Sequence, residues 1–169
     1  IVPANLRTLD HGKLPATNMV GYMMFHRAVA AGADPDRLLE SIRNDGDFFK
    51  QTRFASVFNY SLNLVDHVPG ALKYFVNRNH CCGTAVLSSV GDPSKAIATQ
   101  YPVNGDGNPI MANLTLTDIN SAPPIRPLTR AAFTSWHYSK RQRLGVCCDP
   151  SIFSLEQADD LLGLFADRV

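Results

Sequence analysis

Residues 131–169 read AAFTSWHY-SKRQR-LGVCCDPSIF-SLEQADDLLGLFADRV, and this stretch decides the fold class. Ala131 to Tyr138 and Leu144 to Cys148 are built of aromatic, β-branched and small residues, with the polar run Ser139–Arg143 between them. That pattern predicts a hairpin of two strands. Ser154-Leu155-Glu156-Gln157 is a capping box, in which the Ser hydroxyl and the Gln amide satisfy the first free N–H groups of a helix. The helix that follows presents Leu155, Ala158, Leu161, Leu162 and Phe165 on one face. A hairpin running into an amphipathic helix implies a sheet with a helix packed on it.

Working outward, Ile110 to Ile119 alternates, with Met111, Asn113, Thr115 and Thr117 opposite Ala112, Leu114 and Leu116, and predicts a strand. Asn104-Gly105-Asp106-Gly107-Asn108 is a turn, and Ile97 to Val103 a strand before it. Gly91-Asp92-Pro93 breaks a buried strand expected over Cys81 to Val90. Ser121 to Pro127 holds three prolines and excludes regular structure. Further back the period becomes helical. Asp34-Pro35 pairs an N-cap with a first-turn proline, ahead of Leu38, Leu39, Ile42, Phe48 and Phe49, with Gly46 loosening the helix partway. Phe54, Val57, Phe58, Leu62 and Val65 mark a second helix, and Leu72 to Val76 a short third. Residues 1–7 and Thr17 to Phe25 read as strands joined by a polar loop, Thr8 to Pro15. The expected class is therefore α/β (α+β): one mixed sheet of about five to six strands covered by helices, in a single subdomain spanning residues 1–169.

Composition excludes several functions. Sixteen Lys+Arg against fifteen Asp+Glu leave a net charge of +1, which gives no electrostatic footprint for nucleic acid. The most apolar region, Met19 to Ala33, is broken by His26 and Arg27 and is too short to span a bilayer. The chain opens on Ile1 without a Met or a signal peptide, which suggests a fragment or cleavage product. The four cysteines fall in adjacent pairs, Cys81-Cys82 and Cys147-Cys148. Adjacent strand residues point to opposite faces, so neither pair suits a metal, and His80 beside Cys81 does not form a nucleophilic dyad. The pairs read as small packed residues in a reduced, cytoplasmic setting. Asn59-Tyr60-Ser61 and Asn113-Leu114-Thr115 match the glycosylation triplet by chance in such a setting.

No phosphate loop, nucleophile elbow or zinc-binding H-E-x-x-H is present, and no metal site or tightly bound cofactor is expected. His11, His26, His67, His80 and His137 are scattered. The basic run Lys140-Arg141-Gln142-Arg143 reads as a solvated turn before it reads as a phosphate grip or an address signal. Phe48, Phe49, Phe54, Phe58 and Phe75 read as core, with a peripheral lipid-docking face as the alternative.

Four stretches in order resemble a known superfamily. They are Val2-Pro3-Ala4-Asn5-Leu6-Arg7; Leu14-Pro15-Ala16-Thr17-Asn18; Thr84 to Gly91; and Phe133 to Cys148 with Asp149-Pro150-x-x-Phe153-Ser154 and the last helix. Together they resemble the C-terminal half of chloramphenicol-acetyltransferase-like (CAT-like) acyltransferases, the superfamily of condensation domains, polyketide-associated acyltransferases and wax ester synthases. Thr17 stands where a Gly is usual before the Asn, and Ser89 where an Asn is usual. The superfamily's H-H-x-x-x-D-G motif lies in the N-terminal half and has no counterpart here, so no catalytic residue is assigned in this chain.

The resemblance implies a subdomain that walls one side of a tunnel between two halves. Across it an acyl group would pass from a coenzyme A or carrier-protein thioester to a hydroxyl or amine, on a small molecule or a lipid. The base would be a His of the other half. The matching positions imply Asn18, Ser88, Ser89 and Gly91 as substrate-binding candidates, with Ser88 and Ser89 as oxyanion donors. The implied partner is the N-terminal half, with self-association as its substitute and a carrier protein as a further partner. The alternative functions are a non-catalytic condensation-like binding module and a peripheral lipid-binding domain.

Overall fold

The structure, a computed structural model, describes residues 1–8, 11, 19–28, 34–77, 83–125 and 128–169. The chain divides into two units, Ile1–His80 and Cys81–Val169.

In the first unit, strand β1 (Val2–Asn5) pairs antiparallel with β2 (Val20–Met23), Val2 opposite Met23 and Asn5 opposite Val20. Helix α1 (Pro35–Gln51) starts as its sequence predicts: the Asp34 carboxylate accepts from the Asp36 N–H at 3.0 Å, and Pro35 fills the first helical position. Gly46 does not interrupt it. A 3-10 turn (Phe54–Ser56) then leads into α2 (Val57–Asp66) and α3 (Ala71–Asn77). The turn lies directly on β2 because residue 21 has no side chain. A Cβ there would sit 2.2 Å from the Ala55 carbonyl oxygen. Asn59 in α2 donates to the Val20 carbonyl at 3.1 Å, and Tyr22 meets Phe58 edge-on at 5.0 Å. The first helix is held by Arg27, which donates to the Asp45 carboxylate at 2.5 Å and to the Ser41 hydroxyl at 2.9 Å.

In the second unit, β3 (Ala85–Gly91) runs parallel to β6 (Ala131–Tyr138), and β6 pairs antiparallel with β7 (Arg141–Cys148), giving the order β3-β6-β7. Helix α4 (Pro93–Ala98) follows β3, and a two-residue ladder joins β4 (Ile110–Met111) to β5 (Leu114–Thr115). Alternation along β6 buries Ala132, Thr134, Trp136 and Tyr138 on one face. The irregular segment 116–121 crosses that face: the Trp136 indole donates to the Ile119 carbonyl at 3.0 Å and the Tyr138 hydroxyl to the Leu116 carbonyl at 2.5 Å. Gly145, beside Thr134 in β7, leaves room for the crossing, since a Cβ would lie 2.9 Å from the Thr134 methyl and 3.3 Å from the Ser121 carbonyl. The capping box forms as read, Ser154 and Gln157 bonding reciprocally, and starts α5 (Leu155–Ala166). That helix reaches the other face of the sheet, Phe165 meeting Phe133 at 5.2 Å.

The class is thus mixed α and β, but the expected sheet of five to six strands is corrected: the described residues form sheets of two, three and two strands. Two local causes account for this. Ile97 to Val103 does not extend, because Asp92-Pro93 starts α4 with the chemistry of Asp34-Pro35, the Asp92 carboxylate accepting from the Ser94 N–H at 3.1 Å. Ile110 to Ile119 folds back at Ala112, whose φ is 55°, and the residues after Thr115 give their carbonyls to Trp136 and Tyr138 instead of to a strand partner. The turn of the last hairpin is Ser139-Lys140, both at positive φ, rather than five residues long. Its Ser139 hydroxyl donates to the Asp106 carbonyl at 3.0 Å and to the Asn108 amide oxygen at 2.6 Å.

Candidate functional site

The third strand was expected to be buried, and it is instead an edge strand among the described residues. Val86 and Ser88 are half-buried on the face shared with Ala132 and Thr134, whereas Leu87 and Ser89 are exposed on the opposite face. Neighbours in register share a face, so Ser89 lies beside Ser135, and Ser88 beside Thr134. The register shifts between Ser89 and Gly91, leaving Val90 as the extra residue of a bulge. Bulges re-aim the residues around them and are common beside functional sites. Gly91, at φ 76°, turns the chain into Asp92 and α4, and α4 packs on β6.

Ser135 and His137 continue the Ser89 face along β6, and Gln142 of β7 stands opposite His137. The Gln142 amide donates to the Ser135 hydroxyl at 3.4 Å, which leaves the Ser135 proton to be donated elsewhere. The Ser89 hydroxyl has no partner among the described residues. The arrangement is two neighbouring hydroxyls and an exposed imidazole on the sheet face that α5 covers in part at Phe133. Such a strip can donate hydrogen bonds to a carbonyl or an oxyanion laid along it.

Of the sequence candidates, Ser88, Ser89 and Gly91 therefore share one strand end, but Ser88 and Ser89 point to opposite faces and cannot act as a pair of donors. Asn18 lies outside the described residues, as do Thr17, His80, Cys81 and Cys82. Ser135 was not singled out from the sequence. Alternation in 131–138 puts it on the Phe133 face, yet its nearness to Ser89 depends on a parallel pairing between strands some forty residues apart.

Other groups have structural roles. Arg143 of the basic run pairs with Asp118 at 3.0 Å, and Lys140 shapes the hairpin turn. Cys147 and Cys148 are unbonded thiols on opposite faces of β7, and burial pushes the Cys148 thiol up, aided by Cys147. A protonated thiol is a poor nucleophile. Asp92 is held below its ordinary carboxylate value mainly by the Ser94 hydroxyl, and Asp149 by the Ser151 hydroxyl at 2.7 Å. Among the described residues no cluster of His, Cys, Asp and Glu could hold a metal, and no helix is long and apolar enough to cross a membrane. No protein-family model, curated protein or solved structure matches the chain.

Proposed function

We propose that this chain is the C-terminal subdomain of a CAT-like acyltransferase, cytoplasmic, which moves an acyl group from a coenzyme A or carrier-protein thioester to a hydroxyl or amine acceptor. The observation that carries the reading is the exposed Ser89 hydroxyl at the bulged end of β3, without a partner among the described residues and beside Ser135. In this reading Ser89 donates to the oxyanion that forms when the acceptor attacks the thioester carbonyl, and Ser135 supports it. The attacking group loses its proton to a His supplied by an N-terminal half.

The four ordered resemblances of the sequence support the same reading. So does the apolar surface that a second half would cover: Leu87 and Val90 on β3, and Leu155 and Leu164 on α5, are all more than two-fifths exposed.

The test is thiol release from acyl-coenzyme A by the product of the complete reading frame, with alcohols and amines as acceptors. Acceptor-dependent release of free coenzyme A is the expected result. Absence of release with any donor, together with an upstream sequence lacking His-x-x-x-Asp, overturns the reading and leaves a non-catalytic binding module.

A further inference from the structure

The N-terminal unit holds a cleft that acyl transfer at Ser89 does not use. It has a volume of about 720 Å³, inside the range of roughly 300–1,000 Å³ typical of small-molecule sites. Its floor is apolar, formed by Leu6 after β1, Met19 and Met23 around β2, Phe49 of α1 and Ala55 of the 3-10 turn. Phe49 is fixed there by its neighbours, meeting Phe25 edge-on at 5.3 Å and stacking on Phe54 at 5.4 Å.

Among the described residues the charged part of the lining has one sign: Arg7, Lys50 and Arg53 line the cleft together with His11, and no described Asp or Glu does. Lys50 has only a loose, exposed partner in Asp47, 3.6 Å away. Arg53 has no acidic partner among the described residues. The His11 ring nitrogen Nδ1 accepts from the Thr8 N–H at 3.0 Å, so the neutral ring carries its proton on Nε2 and presents a donor there. The Asn59 amide is already committed to the Val20 carbonyl. Cationic and donor groups around an apolar floor complement one kind of ligand.

We propose that this cleft binds a small amphiphile with an anionic head, carboxylate or phosphate, and an aliphatic tail. The head lies among Arg53, Lys50 and His11, and the tail lies along Leu6, Met23 and Phe49. The proposal rests on the first unit alone, so it stands or falls separately from the role of Ser89.

Isothermal titration of the 169-residue chain with decanoate, decyl phosphate, decanol and inorganic phosphate tests it. Saturable binding of decanoate or decyl phosphate, weakened by added salt, is expected, and the tighter of the two identifies the head group. Arg53→Gln and Lys50→Gln should each weaken that ligand about fivefold, a modest effect because both side chains are exposed. Arg37→Gln, on the solvent side of α1 and outside the cleft, should leave affinity unchanged. Circular dichroism checks folding, and if one cleft variant unfolds the other carries the test. Decanol binding as tightly as the anions overturns the proposal. So does inorganic phosphate binding as tightly as decyl phosphate, or an unchanged affinity in folded cleft variants.

Discussion

Replacing Gly21 with alanine tests how the first unit is held together. The added methyl would lie 2.2 Å from the Ala55 carbonyl oxygen, 2.7 Å from its carbon and 3.1 Å from the Leu6 Cδ1, against 3.4 Å or more for ordinary contact. Leu6 can rotate, but the Ala55 carbonyl is backbone. The 3-10 turn must retreat by about an ångström, a strain of the overpacking kind. Retreat stretches the Asn59–Val20 hydrogen bond and loosens the Phe49–Phe54 stack, which flank the turn. Overpacking against backbone belongs at the upper end of its range, about 3 kcal/mol. Alanine recovers somewhat under 1 kcal/mol by restricting the unfolded chain, so the net loss is about 2 kcal/mol. With a urea slope of about 1.5 kcal/mol/M, the midpoint read by far-ultraviolet circular dichroism should fall by about 1 M. Gly46→Ala is the matched control in the same unit. A Cβ there meets nothing within 4 Å, so its midpoint should hold or rise. If Gly21→Ala unfolds at the wild-type midpoint, β2 and the turn do not pack as described.

Three further outcomes follow from the second unit. Tyr138→Phe removes the donor to the Leu116 carbonyl and should cost about 1–2 kcal/mol in denaturant unfolding, whereas an unchanged midpoint would place segment 116–121 elsewhere. Asp92→Ala should destabilise by about 1 kcal/mol at neutral pH through the lost cap. Because the folded carboxyl lies below its ordinary value of 3.8, that contribution is present above 3.8 and fades as pH falls through the lowered value, so the melting-temperature gap to wild type should close in acid. A gap that widened in acid would contradict the sign. A variant keeping Cys148 as its sole cysteine should react with a disulfide reagent more slowly when folded than in urea, and equal rates would count against its burial.

Much of the secondary structure was readable because its signals are local. Asp34-Pro35 and Ser154–Gln157 carry the chemistry of a helix start within four residues, and both work as read. The same dipeptide at Asp92-Pro93 reads as a strand break when the apolar run after it is taken for a strand. The cap settles the matter, because it satisfies N–H groups that a strand would not leave open. The sheet was less legible. Ile110 to Ile119 alternates like a strand, yet its carbonyls are drawn to Trp136 and Tyr138 some twenty residues on, a long-range demand that alternation does not encode. The site divides in the same way. Ser88 and Ser89 mark a strand end in the sequence, but which of them faces out, and that Ser135 stands next to Ser89, follow only from the parallel register with β6.

The most direct measurement is the turnover number for the proposed acyl transfer, read on the product of the complete reading frame carrying Ser89→Ala, beside Ser88→Ala. An oxyanion donor lost from such a site lowers kcat by about a hundredfold or more while the KM for the thioester changes little. The account predicts that result for Ser89→Ala, with Ser88→Ala near wild type because its side chain faces Thr134. A Ser89→Ala enzyme with wild-type kcat would contradict it.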